Sequence, residues 1–276
     1  MTDAIGRGYC GGGSIAAILG LSPFSSPLQA YLEITGELHE ELSPEKRKFF
    51  DRRKALEPFA CQCFEVATGV EIDQINERYT DKEFPWAKAE IDAECLREGE
   101  RVNIEIKTIR TDMAWMWGDP DSDEPPYYVT AQAMWGLGVT GRDICYVHGL
   151  VGIDDDRIYV VERNDKIIAN IREHARRFWE NYVVPRRQPA PTTDEDLKRL
   201  YKRDSGRSVE ASTAIQMALS ERDIAVRNIK KHENNKKLQE LEIKMFMRDA
   251  TTLTVDGMDV ATWKANINGT RILRFK

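Results

Sequence analysis

The chain has 276 residues, 41% of them hydrophobic, with six Trp and a formal net charge of −6. That apolar supply excludes an intrinsically disordered protein, and no apolar run is long enough to cross a bilayer. The negative balance weighs mildly against a nucleic-acid partner, whose phosphates call for Lys and Arg, although a carboxylate-rich metal site or a local basic groove is compatible with it.

The opening "MTDAIGRGYCGGGS" has no charged-then-apolar leader pattern, so a soluble, cytoplasmic protein without a membrane partner is expected. "SIAAILGLSPFSSPLQAYLEITG" (14–36) predicts two short helices, the first capped by Ser14, the second opened by Ser26 and Pro27 and closed by Gly36. "SPEKRKFFDRRKALEPFACQCFEVATG" (43–69) predicts a longer helix, with a kink or break near Glu57 imposed by Pro58. Its run "KRKFFDRRK" is basic; a solvated helix face is the simplest reading.

From Val70 to Thr108 apolar and polar residues alternate, and "VEIDQIN", "AKAEIDAEC" and "RVNIEIKT" predict three consecutive strands with a turn at "EGE" (98–100). An irregular acidic loop is expected over 112–126, then a helix over 127–141 ended by Gly141. "DICYVHGLVG" and "DRIYVVERN" predict two more strands around the turn "DDD" (154–156), followed by an amphipathic helix over 165–184. "PRRQPAPTTDED" (185–196) has the composition of a linker. Beyond it, Ile215, Leu219, Arg222, Val226 and Ile229 keep a seven-residue rhythm that Leu238, Leu241 and Met245 resume out of phase after "HENN", which predicts a broken long helix or a helical hairpin. Small strands around a Gly turn are expected at the end. The order defines an α/β core, residues 1–188, whose central mixed sheet is flanked by helices, and a helical C-terminal appendage, residues 189–276. Cys10, Cys61, Cys63, Cys95 and Cys145 include no C-x-x-C pair and are expected to be reduced, and the four histidines have no zinc-ligand spacing.

The stretch "RVNIEIKT" (101–108) carries the chemistry. Ile104 and Ile106 point to one face of a strand, Glu105 and Lys107 to the other. If 86–95 pairs with 101–108 through the Gly99 turn, Asp92 lies beside Glu105. Two carboxylates so close repel, and a hard divalent cation, magnesium or manganese, resolves the repulsion. Two such cations can clamp the attacking and leaving oxygens of a phosphodiester, with Lys107 orienting or deprotonating water or stabilising the transition state. Taken alone, Glu-x-Lys on a strand is also the pattern of an exposed surface ion pair.

The succession "GGSIAAILGLSPF", "ALEPFACQCFEVATG", "ID…IEIKT" and "YYVTAQAMWGLGVTGRD" resembles the phage lambda-type exonucleases, or YqaJ-like viral recombinases, of the PD-(D/E)XK nuclease superfamily. The resemblance covers about residues 7–185, and the tail "VDGMDVATWK…RILRF" is similar to tails of phage members. It implies a restriction-endonuclease-like core and a magnesium- or manganese-dependent 5′→3′ exonuclease acting on ends of linear double-stranded DNA in recombination. It also implies two ions per site, a homo-oligomer and a single-strand annealing protein as partner. Asp92, Glu105 and the carbonyl of Ile106 would be metal ligands, Glu57 an additional acidic residue near the metals, and Lys107 the catalytic lysine. Gln132 would sit near the scissile phosphate with Tyr128 one helical turn away; Arg7 and Ser14 would hold the 5′-phosphate. The family usually reads Gly-Gly-Ser-acidic before the apolar helix. In "GGGSIAAIL" the serine place falls on Gly13 by helix register and on Ser14 by distance from Arg7. An endonuclease of the same fold and an inactive DNA-end-binding protein are the competing readings.

Overall fold

The structure, a computed structural model, describes residues 7–38, 43–118, 124–266 and 268–276. Residues 1–6 of the opening stretch and 119–123 of the expected acidic loop lie outside the described residues. Two compact units divide the chain, residues 1–203 and 204–276.

The first unit is built on a five-stranded sheet that runs in chain order: β1 (Ile72–Thr80), β2 (Lys88–Arg97), β3 (Glu100–Ile109), β4 (Ile144–Val151) and β5 (Asp155–Glu162). All neighbours are antiparallel except β3 and β4, which are parallel because helix α4 (Tyr127–Thr140) crosses between them. The β2–β3 turn is Glu98-Gly99, with φ of 54° and 86°. Two positive φ values match the right-handed twist of a hairpin, and Gly99 adopts its value without steric cost.

Helices α1 (Gly12–Ile18), α2 (Pro27–Thr35), α4 and α5 (Asp165–Phe178) share one core with the sheet, in which Ile15, Tyr31, Trp135, Leu137 and Val147 are buried. Helix α3 (Pro44–Thr68) covers the other face, setting Ala60 and Phe64 on Ala93, Ile104, Ile106 and Leu150. Each large side chain so buried contributes about 1.5–3 kcal/mol. With both faces covered, even the polar side of β3 lies under a helix.

Several local expectations give way. Gly11, not Ser14, is the N-cap of α1, and Ser14 sits inside its first turn. Of the kink or break expected at Pro58, the break does not occur: helix α3 continues through it. Lys54 and Pro58 are both exposed, so the lost hydrogen bond falls where water can replace it. A 3-10 helix, Thr111–Trp117, occupies the start of the expected irregular loop, and α5 passes into a π-helical turn, Trp179–Val183. The aspartate turn is shorter than expected: Asp155 and Asp156 already belong to β5, where Asp155 pairs with Arg157 at 3.0 Å and Asp156 with the buried His148 at 2.6 Å. All five cysteines are free.

The Pro-rich stretch after residue 185 folds onto the first unit. Arg186 donates to the carbonyl of Thr35 at 2.8 Å, and Asp196 of helix α6 (Asp194–Leu200) is buried. The Ser26 hydroxyl caps α2 by accepting the Gln29 N–H and itself donates to Asp196 at 2.6 Å. Asp196 also accepts the Thr192 and Thr193 N–H groups, so one carboxylate joins the starts of two helices.

In the second unit α7 (Thr213–Met247) is one continuous helix of 35 residues, not a broken helix or hairpin. "HENN" contains neither Gly nor Pro, and its residues each cost only a few tenths of a kcal/mol or so of helix propensity. The expected terminal strands form an antiparallel sheet, β6 (Thr252–Val255), β7 (Met258–Ala265) and β8 (Arg271–Phe275).

Candidate active site

The hairpin places Asp92 and Glu105 side by side and then opens. The β2–β3 ladder ends with Ala93 opposite Ile104, so Asp92 and Glu105 are next on each strand. Before Ala93, β2 continues against β1; beyond Asn103, β3 takes β4 as its partner. Asp92 spans the resulting fork by accepting the Ile106 N–H at 2.9 Å.

Glu105 is buried, with 5% of its surface exposed. One of its oxygens, Oε1, accepts from the Lys107 ammonium and from the Gln132 amide, the latter at 2.5 Å. Lys107 Nζ also lies 4.0 Å from Asp92 Oδ2. The surface ion-pair reading therefore fails on the burial of Glu105, which lies under Gln132 of α4, while Lys107 keeps part of its surface exposed. Gln132 can reach Glu105 because α1 and α4 approach closely; a Cβ on Gly12 would lie 3.1 Å from Gln132 Cγ.

Burial and the Asp92 charge push the Glu105 carboxyl above the ordinary glutamate range. Burial pulls Lys107 down, but Glu105 and Asp92 outweigh it and raise the ammonium. Glu57, exposed on α3, is also raised, by burial and then by Asp92, with Lys54 and Lys107 opposing. Glu57, Lys54, Cys61, Asp92 and Ile106 line one cleft of about 200 Å³. The Cys61 thiol there is pushed up to about 11 by burial and Asp92, which excludes it as a thiolate nucleophile at neutral pH.

Asp92, Glu105, Lys107 and Gln132 are thus brought together, and Glu57 stands at the rim with them. Ile106 contributes its N–H to Asp92 and its side chain to the α3 core. Tyr128 is half-buried one turn before Gln132, edge-on to Phe24 at 5.6 Å, and is raised by burial while Trp117 and Lys107 oppose. Arg7 forms its ion pair with Glu33 at 3.7 Å. Ser14 faces inward with its hydroxyl buried and unpaired among the described residues, whereas Gly13 is exposed.

Among the described residues no three His, Cys, Asp or Glu side chains already close on one point. The donor set nonetheless fits a hard cation: two converging carboxylates, one of them raised by the other, with an ammonium and an amide spending the lone pairs a metal would use. Two residues were missed at the level of sequence. Lys54 was read only as part of a solvated basic face, although it lies three residues before Glu57, hence on the same side of α3. Gly12 carries no signal of its own in the sequence; only the packed structure reveals that Gln132 lies against it.

A mixed five-stranded sheet flanked by helices defines an α/β nuclease-like fold. The model of the YqaJ-like viral recombinase domain matches residues 4–143, and the chain belongs to that family. It is 24% identical over 247 residues to the uncharacterized protein YqaJ of Bacillus subtilis (strain 168), covering 87% of this chain and 75% of the relative. Its fold is similar to an alkaline exonuclease, LHK-Exo from Laribacter hongkongensis, with a TM-score of 0.51 and 17% identity over 71% of this chain and 94% of that one. That exonuclease is also known in complex with dAMP.

Proposed function

We propose that the protein is a magnesium-dependent 5′→3′ exonuclease that degrades linear double-stranded DNA from its ends in phage-type homologous recombination. The observation that carries this reading is the fork at Asp92 and Glu105, where two carboxylates and Lys107 meet beside a cleft open to solvent. The family's recombinase description and the fold shared with an alkaline exonuclease seen with a nucleoside monophosphate support it.

Asp92 and Glu105, with the Ile106 carbonyl, would hold magnesium or manganese, and Glu57 would serve a second ion from the rim. When bound, such ions activate water and neutralise charge on the phosphodiester. Lys107 keeps its proton beside Glu105 and Asp92, which suits a donor to the charged phosphate better than a base. Gln132 fixes the rotamer of Glu105 and presents its amide to the same point. Tyr128 stands where it can pack on the substrate strand. The inward Ser14 hydroxyl and Arg7 would receive the 5′-phosphate. A homo-oligomer encircling the duplex and a single-strand annealing protein that takes over the exposed 3′ strand complete the reading.

The experiment is digestion of linear duplex DNA labelled at one 5′ end, with magnesium or chelator, comparing wild type with Lys107→Ala and including a closed circular plasmid. Release of label from the linear DNA by wild type with magnesium only is expected. Cutting of the closed circle but not of ends would sink the exonuclease reading in favour of an endonuclease. Binding without any cleavage would make the protein an end-binding factor.

A further inference from the structure

Helix α7 carries an apolar stripe that is exposed among the described residues. Ile215, Leu219, Val226 and Ile229 are exposed at 54%, 52%, 50% and 59%. With Arg222 between Leu219 and Val226 they lie at alternating steps of four and three residues, the spacing of a coiled-coil seam. The same line continues through Arg222, Glu233, Lys236 and Glu240. A seam with charges at these fixed points selects its partner by charge.

We infer that α7 is a self-pairing element: it packs antiparallel against α7 of a second copy of this chain, with Arg222 of each copy opposite Glu233 of the other. In that register Val226 faces Ile229, Leu219 lies along the aliphatic stem of Lys236, and Ile215 meets the stem of Glu240. On one flank Asp223 falls beside Lys230. Each of these contacts occurs twice by symmetry, and the paired segment, residues 215–240, is about 39 Å long at 1.5 Å per residue.

Two alternative pairings are worse by charge. A parallel, in-register pair would set Arg222, Glu233 and Lys236 each against its own copy. An antiparallel pair centred on the apolar half, with Ile215 opposite Ile229, would bring the two Arg222 residues together. Among the described residues Arg222 pairs with its neighbour Asp223, at 2.9 Å, and Lys236 with Glu240, at 3.7 Å. Exposed pairs of this kind contribute little and are readily exchanged. Met217 and Ile224 lie on the opposite side of the helix and take no part.

Sedimentation of the full chain over a range of concentrations tests this, with wild type, Arg222→Glu, Glu233→Arg and the double variant compared. All substitutions are at exposed positions, and helicity by circular dichroism verifies folding. The wild type is expected to self-associate. Each single reversal puts two like-charged layers in the dimer and should raise its dissociation constant at least about tenfold. The double variant swaps the charges and should regain most of the affinity. A wild type that stays a single chain, four variants that associate alike, or a double variant no better than the singles would each overturn the pairing. None of these readouts depends on cleavage, so the nuclease reading can fail without affecting this result, and the reverse.

Discussion

The β2–β3 hairpin holds two buried glutamates, and their surroundings are opposite. Glu94, fully buried near the closed end, accepts from the Tyr79 hydroxyl at 2.8 Å, Arg101 at 3.2 Å and Arg142 at 3.0 Å. Arg142 in turn donates to Asn103 at 2.6 Å and lies over the Tyr79 ring. Two guanidiniums face one carboxylate, and Arg101 also reaches Asp73 at 3.1 Å. Glu105, at the open end, faces a second carboxylate and one ammonium beside a cleft. The first arrangement is complete without a ligand. The second is short of positive charge, and that shortage is what a cation and a phosphodiester would use.

The largest expected effect breaks the two glutamates apart by their readouts. Glu105→Gln should lower cleavage by about 10³-fold or more, because it removes a charge the reaction needs. It should leave the fold as stable as the wild type or more so. Glu94→Gln should do the reverse, keeping cleavage per folded molecule while costing about 3 kcal/mol as the largely buried Arg142 loses its counter-charge. Melting curves with parallel digestion assays decide. The comparison breaks if the two variants lose stability alike.

Removing the cation sharpens the same contrast. Glu105 is raised in the fold, so the folded state keeps a proton that the unfolded state gives up. In chelator, wild-type stability should therefore fall as pH rises above the ordinary glutamate range, and Glu105→Gln should flatten that fall. Magnesium should raise the melting temperature of wild type and do so less for the variant. A magnesium shift equal in both would place the cation elsewhere.

Much of this was legible in the chain, for identifiable reasons. Alternation along 88–109 and the Gly99 turn fix the hairpin register, and that register alone sets Asp92 next to Glu105. The burial of Glu105 was not legible, because it depends on α4 lying across a strand that reads as one-sided. The Glu94 network was equally hidden: Tyr79, Arg101, Asn103 and Arg142 come from separate elements with no local spacing to announce them. Ser14 was misread as a cap because Ser before an apolar run is the commonest N-cap signal. Three glycines preceding it let the helix start earlier, at Gly12. The break offered at Pro58 and the interruption at "HENN" misled in the same direction, since local breaking tendencies of a few kcal/mol or less yield to a helix held elsewhere.

An intermediate effect is expected at Gln132. Its amide holds Glu105 without carrying charge, so Gln132→Ala should reduce kcat by about tenfold and leave the melting temperature nearly unchanged. Gln132→Glu would add a third carboxylate to the open end and should be worse than alanine. If alanine and glutamate behave alike, Gln132 acts by packing against Gly12 and not by orienting Glu105.

The smallest effect lies at the rim, where the open end draws on charge that the closed end does not need. Lys54 lines the cleft with Glu57 and Asp92. Arg53 is stacked on Phe49 at 5.0 Å and is lowered by burial and by the nearby Arg110, so two guanidiniums approach each other there. Unlike Arg101 and Arg142, Arg53 and Lys54 have no carboxylate in ion-pair contact among the described residues. Backbone phosphates of an entering strand would supply the missing anions. Arg53→Ala and Lys54→Ala should each raise KM a few-fold with kcat held, and each should reduce the slope of log affinity against log salt by about 0.9. A fall in kcat with the salt slope unchanged would move these residues from the DNA rail into the support of Glu57.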